Sequence, residues 1–452
     1  MKRIGKLVSA CMVVGFIAAC AEEPAPYGPL PTPAQVEWQK MEMNLFVHFG
    51  PNTFSGLEWG TGMEAEDLFR PTEPDCRQWA RTARAAGMKG IILTAKHHDG
   101  FCLWPNPVSR HCVKDMDVLK ELSEACREEG LKFGVYISPW DRNDPAYGTP
   151  EYNEKYAETL RSVHDGTYGP IFEQWFDGAC GEGPNGKRQE YDWTLFNRTV
   201  STLQPDAVQF SDVGPGCRWV GNEKGVAGET NWSTLNADGF TPGAGGPSTK
   251  SLNEGDEDGT AWIPAEANVS IRPGWFWRSS EDDRLKSVDE LLDIYYSSVG
   301  RNALLLLNVP ADTRGRIPQG DSLRLMEFRR RRDRIFADNL AGSISGQGKK
   351  LLDGDYDSYM VLHKPSFIIK LKEPRSFNRI LLQEYIPLGQ RISSFTVEAE
   401  DGGTWKEIAR GTTVGYKRIL RIPETSAGKV RITVTGAKAV PVLSEAGLYL
   451  DD

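Results

Sequence analysis

From Asn44 onward the chain alternates short apolar runs with amphipathic ones. Runs 45–50 (LFVHFG), 90–98 (GIILTAKHH), 132–140 (KFGVYISPW), the start of 171–180 (IFEQWFDGAC) and 207–212 (AVQFSD) read as strands. Between them, 75–87 (DCRQWARTARAAG) sets Trp79, Ala83 and Ala86 on one helical face and ends at Gly87, while 117–130 repeats the pattern with Leu119, Leu122 and Cys126. Stretches 150–163 and 193–204 continue the series. Strands apolar on both faces, alternating with helices, predict a parallel sheet, and their number predicts an α/β fold of the (β/α)8-like barrel type.

Beyond Gly221 the pattern loosens, and 239–259 (GFTPGAGGPSTKSLNEGDEDG) is a long irregular loop of the functional or mobile kind. Order returns with the WFW segment from Trp275, a helix over 288–300 and NALLLLNVP from Asn302 as the last barrel strand; a helix over 324–336 closes the barrel. After about Asn339 short alternating runs divided by turn residues (SFIIKLKEP, FNRILLQEY, SFTVEAEDGGTW, KVRITVTG) predict an all-β sandwich. The expected organisation is therefore 38–340 barrel and 341–452 sandwich, preceded by two short segments.

Those segments come from the N-terminus. Lys2 and Arg3 precede an apolar run over 7–19, and IAAC ends in Cys20, which is similar to a bacterial lipoprotein signal over 1–20 with Cys20 as the lipid-bearing residue. A plain cleaved secretory peptide is the other reading of these residues. The Pro-rich stretch 21–37 is expected to be an extended tether, and Glu22 and Glu23 resemble a signal for export to the surface of a Gram-negative-type cell. Six further cysteines, 76, 102, 112, 126, 180 and 217, contain no CxxC pair, so neither a zinc site nor a disulfide connectivity is assigned.

With 452 residues the chain has room for a large core and a second module. A net charge of -9 argues against a nucleic-acid partner or an anionic membrane surface, either of which calls for a basic face. The one basic run, 329–332, lies on a helical pattern and reads as a solvated helix face. The 13 tryptophans are many, and flat aromatic faces suit sugars as well as cores.

Polar residues gather where the strands end: His48, His97, His98 and Asp99, Tyr136 and Trp140, Asp177, then Arg218 and Glu223. Barrel enzymes place catalytic groups there. Asp177 taken alone also fits a helix N-cap or a buried ion pair. The HHD triplet invites a metal reading, but adjacent residues in an extended segment face opposite ways, so hydrogen bonding to hydroxyls suits His97 and His98 better. No phosphate loop or dinucleotide fingerprint appears, so no cofactor and no metal are expected.

HFG with GLEWG close behind, KHHDGF, VYISPW and WFDGA together resemble glycoside hydrolase family 29, the α-L-fucosidases, over about residues 38–336. WVGNE, RPGWFW and the sandwich most resemble its branch acting on α-1,3/1,4-linked fucose. The resemblance implies a retaining exo-fucosidase acting through a covalent fucosyl-enzyme, with fucosylated glycans as partners. Asp177 matches the nucleophile, and His48, Glu58, Trp59, His97, His98, Tyr136, Arg218 and Trp275 match sugar-binding positions. For the acid/base, Glu223, Glu229 and Glu266 are candidates; Glu223 is preferred and Glu266 is the alternative. A retaining pair is expected about 5–5.5 Å apart. The C-terminal module resembles discoidin-like sandwiches, as a sugar binder or as a brace. A non-catalytic glycan-binding lipoprotein and a hydrolase for another 6-deoxy or galactose-like sugar are the competing readings.

Overall fold

The computed structural model describes residues 24–451, so the expected leader, Cys20, Glu22 and Glu23 lie outside the described residues. Eight parallel strands close into a barrel in sequence order: β1 (Met43–Val47), β2 (Gly90–Lys96), β3 (Lys132–Ile137), β4 (Ile171–Trp175), β5 (Val208–Ser211), β6 (Cys217–Trp219), β7 (Ala265–Ser270) and β8 (Ala303–Asn308), with β8 returning to β1. β2 and β8 are buried at every residue. That burial on both faces is why they read as unbroken apolar runs rather than alternating ones.

The helices outside the barrel include α1 (Pro33–Met41), α2 (Cys76–Ala85), α3 (Val118–Glu128), α4 (Pro150–His164), α5 (Trp193–Leu203), α6 (Val288–Ser297) and α7 (Gln319–Ile335). Asp75, Asp117 and Asp192 cap α2, α3 and α5 by accepting from Gln78 N, Lys120 N and Leu195 N at 2.8–2.9 Å. A carboxylate there satisfies an orphan N–H and meets the positive end of the helix dipole.

Three features depart from expectation. The stretch expected as a tether is helical from Pro33: Thr32 and Gln35 form a capping box, and Trp38 and Met41 are buried in the core. Proline, read as extended, sits here at the first turn of a helix, where its missing N–H costs nothing. Upstream of it, Tyr27 N donates to Leu388 O and Arg391 to Ala25 O, which holds the chain against the second domain. Second, β6 has only three residues and follows β5 without a helix, and Arg218 lies within it rather than in a loop after it. Third, order returns before the WFW segment rather than with it: β7 is AEANVS, and Trp275 lies in the loop beyond it.

The C-terminal domain contains seven antiparallel strands: β9 (Ala341–Ile344), β10 (Met360–Val361), β11 (Ser366–Glu384), β12 (Ile392–Asp401), β13 (Thr404–Gly411), β14 (Arg418–Ala437) and β15 (Val442–Tyr449). β11 and β14 are long, and register shifts near Lys370 and Phe377 divide their pairing. The first half of β11 pairs with β9, its second half with β15, and the two halves enclose Phe367, Phe377, Phe395, Val430 and Leu448 as a separate core. Polar contacts join this domain to the barrel: Lys417 pairs with Glu42, Tyr416 N donates to Asn302 Oδ1 at 2.7 Å, and Arg379 and Arg331 both hold Asp451. The basic run on α7 is thus more than a solvated face, since Arg331 crosses the junction and Arg329 donates to the last carbonyls of α2.

Candidate active site

The strand ends converge on Asp177, two residues past β4. Tyr136, from β3, donates its hydroxyl to Asp177 Oδ2 at 2.9 Å, and Ala179 N donates to Oδ1 at 2.8 Å. His98 Nε2 stands 3.7 Å from Oδ2. The carboxylate is therefore held from two sides and is only partly buried. The acidic residue is neither a helix cap nor half of a buried ion pair, which removes both alternative readings of the motif.

β2 ends at Lys96, so His97 and His98 lie in the turn after the strand. Their rings approach to 4.2 Å between centroids and both stand near Tyr136, at 5.7 and 6.5 Å. The expectation that they face opposite ways applied strand geometry to residues that have already left the strand. His98 Nδ1 meets Ser138 Oγ at 2.8 Å, and His97 Nδ1 is buried without a partner. Burial lowers the His98 imidazole to about 4 against the opposing pull of Asp177, and it lowers His97 well below the usual range.

His48 is oriented by Asn308. The Asn308 amide donates to Ser270 Oγ and to Trp275 O, both at 2.9 Å, so its Oδ1 is the acceptor for His48 Nδ1–H at 2.8 Å. His48 Nε2 is then a lone-pair acceptor suited to a hydroxyl, because burial pushes this imidazole down to about 3 and keeps it neutral. Asn308, at the end of β8, is a positioning residue that motif reading missed; only its place beside His48 in the closed barrel marks it.

Trp275 is pinned at its backbone. Its N–H donates to Glu58 Oε1 at 2.6 Å, its carbonyl accepts from Asn308, and its ring lies 5.1 Å from His48 at a 34° tilt. Glu58 also pairs with Arg278, so its carboxylate serves the loop that presents Trp275. Trp59 is 56% exposed at the rim and meets Trp140 and His98 edge-on at 5.7 and 6.1 Å. Together Glu58, Trp59, Glu223, Trp275 and Arg278 line one cleft.

Glu223 stands on the loop after β6 and reaches solvent in that cleft. Its carboxyl is raised from the ordinary range, chiefly by burial of part of the group; hydrogen bonding from Trp275 pulls the other way, and the charges of Asp177 and Glu58 add to the rise. The other two candidates are elsewhere. Glu229 is exposed and pairs with Arg301 at 3.3 Å near the domain junction. Glu266 is wholly buried inside the barrel, where Trp175 Nε1 donates to it at 2.7 Å.

Arg218 is not in the cleft. It points outward from β6, where its guanidinium donates to Leu252 O, Ile263 O, Asn231 Oδ1 and Trp232 O and is fully buried. Strand alternation explains the correction: its neighbours Cys217 and Trp219 face Glu173 and Asn268 in the interior, so Arg218 faces the excursion packed outside. It braces the 220–264 excursion. The Gly-rich part of that excursion folds back on the loop that carries Asp177: Gly243 N donates to Asp212 Oδ2 at 3.1 Å, and a Cβ at Gly243 would lie 1.9 Å from Gly178 O.

The HHD segment forms no ligand cluster among the described residues; the one grouping with metal-ligand spacing there is Glu173, Cys217 and Glu266, inside the barrel. An apolar cavity of about 580 Å³ under α1 lies at the opposite ends of the strands, and none of these polar groups lines it.

The profile of the family described as alpha-L-fucosidase matches residues 26–330. The chain is 42% identical to alpha-L-fucosidase 1 of Arabidopsis thaliana, over 95% of this chain and 89% of that protein. Among solved structures it is similar to a glycoside hydrolase 29 family member from an unknown rumen bacterium (TM-score 0.85, 41% identity, 95% of this chain and 78% of that one). It is also similar to a Ruminococcus gnavus family 29 fucosidase in complex with fucose (TM-score 0.87, 32% identity, 96% and 97%).

Proposed function

This chain belongs to the α-L-fucosidase family, glycoside hydrolase family 29, and is a hydrolase, and from that premise we propose that it releases terminal L-fucose with retention through Asp177 and Glu223. Asp177 attacks the anomeric carbon and forms a glycosyl ester; Glu223 protonates the departing oxygen and then, as a base, activates the water that hydrolyses the ester. The supporting observation is that Glu223, alone of the three candidate acids, lines the open cleft beside Glu58 and Trp275 and lies near enough to Asp177 for that charge to add to the rise of its carboxyl. Neutral His48 and His98 accept sugar hydroxyls, and Tyr136 steadies the nucleophile.

The preferred linkage is α-1,3/1,4 on a branched acceptor, a reading supported by the WVGNE and RPGWFW segments, which form the Glu223 and Trp275 walls of the cleft. Product analysis on α-1,3- and α-1,4-fucosylated trisaccharides beside an α-1,2-fucosylated one tests it. Much faster release from the first two is expected, and equal rates overturn the linkage while leaving the activity. The protein is anchored in the cell envelope through Cys20. Cys20→Ala should move it out of the membrane fraction, and retention there would refute the anchor. The C-terminal domain acts as a brace through its junction with the barrel.

A further inference from the structure

The barrel interior holds two glutamates that the reaction does not touch. Glu173 on β4 and Glu266 on β7 are both fully buried and face each other. Each has one oxygen taken by an indole: Trp38 Nε1 donates to Glu173 Oε2 and Trp175 Nε1 to Glu266 Oε1, both at 2.7 Å. The remaining oxygen of Glu266 is buried without a donor among the described residues, and Cys217 Sγ closes the third side, 4.0 Å from Glu173 Oε1. Among the described residues no cation stands with the groups that act on either carboxyl, and Arg218, next to Cys217, spends its N–H groups outside the barrel. Two carboxylates cannot both stay ionised in such a site, whereas one proton between the facing oxygens satisfies both. Burial first, then mutual repulsion, raises Glu173, and burial raises Glu266.

The position of the pair gives it a role. The Trp175 ring lies between Phe210 (3.9 Å, 9°) and Tyr136 (5.2 Å, 27°), and Tyr136 donates to Asp177. Trp175 is also two residues before Asp177 on the same chain segment. We propose that Glu173 and Glu266 share a single proton and act as a positioning pair, fixing Trp175 and through its stack the Tyr136 hydroxyl against the nucleophile. The positioning part rests on the reading of Asp177 given above; the shared proton does not.

A pair that keeps a proton which the unfolded chain loses binds more protons when folded. Its contribution is complete below the ordinary glutamate range and is lost as pH rises through the raised value. Replacing either glutamate with glutamine puts an amide N–H in the proton's place, keeps one negative charge and removes the titration. The experiment follows Tm from pH 5 to 9, together with kcat and KM for an aryl α-L-fucoside with a good leaving group. Tm of the wild type should fall relative to both Glu173→Gln and Glu266→Gln by about 2–4 °C or more toward pH 9. Each glutamine variant should keep kcat within threefold at pH 6 and lose less of it than the wild type at pH 9. Glu173→Ala, which leaves a buried oxygen unpaired, should lose kcat at least tenfold with KM changed less than threefold. Glutamine variants that track the wild-type pH dependence, a difference between the two of them, or one equivalent of metal in the purified protein would overturn the shared proton. If the Tm result holds and the wild type cleaves no fucoside, the reading of the active site has failed and the pair stands.

Discussion

Two pairs of carboxyl groups occupy this barrel, and they differ in what surrounds them. At the mouth, Asp177 is held by Tyr136 and Ala179 and its charge acts on Glu223, which lines an open cleft; in the interior, Glu173 and Glu266 are closed over by Trp38, Trp175 and Cys217. Burial raises both Glu223 and Glu266. A raised carboxyl is thus not by itself a catalytic acid, because only a group that a leaving oxygen can reach is able to hand over its proton.

The sharpest way to break the comparison is to remove Asp177, the proposed nucleophile. Asp177→Ala should cut kcat by about 10^4-fold or more with the fold intact, and azide should restore part of the activity. Unchanged turnover in that variant would transfer the chemistry to another group. The next largest effect separates the two glutamates. Glu223→Ala should lose about 10^2–10^4-fold on fucosides with poor leaving groups and far less in the first step on activated aryl fucosides, whereas Glu266→Ala should slow both substrates alike. If Glu266→Ala shows the leaving-group dependence and Glu223→Ala does not, the roles of mouth and interior are reversed.

The pH profile sharpens the same contrast. As the proposed acid, Glu223 must carry its proton, and its raised carboxyl keeps it to higher pH than an ordinary glutamate, so kcat/KM on a poor leaving group should fall as pH rises through that raised value. His48 and His98, neutral above about 3 and 4, should add no limb between pH 5 and 9. A titrating limb that survives in Glu223→Gln on such a substrate at the same position would assign it elsewhere. The outward face of the barrel gives a stability effect instead: Arg218→Ala strands four buried oxygens and should cost about 3 kcal/mol, seen as a lower denaturation midpoint. A stable variant with weakened sugar binding would return Arg218 to the cleft. Smallest of all, Trp59→Ala at the exposed rim should raise KM by up to about tenfold, roughly the worth of one aromatic contact, with kcat nearly kept; a fall in kcat alone would place Trp59 deeper in the mechanism.

The positions that were hard to read have physical causes. β6 is three residues long, too short to show any period, so Arg218 was assigned by motif to the site although alternation turns it outward. His97 and His98 follow an apolar run without a break, so the sequence does not mark that the strand ends at Lys96, just before them. Glu266 sits in a sequence, PAEANVS, whose small residues conceal a strand that is buried throughout. Asn308 carries no local signal, because its partner, His48, is 260 residues away.

What the sequence determined by itself is local and periodic. Apolar runs buried on both faces required a parallel sheet covered by helices, turn-divided alternation required a second β domain, and WFDG placed a carboxylate at a strand end. Those properties follow from hydrophobic burial and backbone geometry over a few residues. Closure of the barrel decided the rest: it brought β4, β6 and β7 together, so that one raised glutamate faced the cleft and another was sealed against Glu173. Solvent access and long-range pairing set which carboxyl can exchange a proton with a substrate, and no window of sequence contains either.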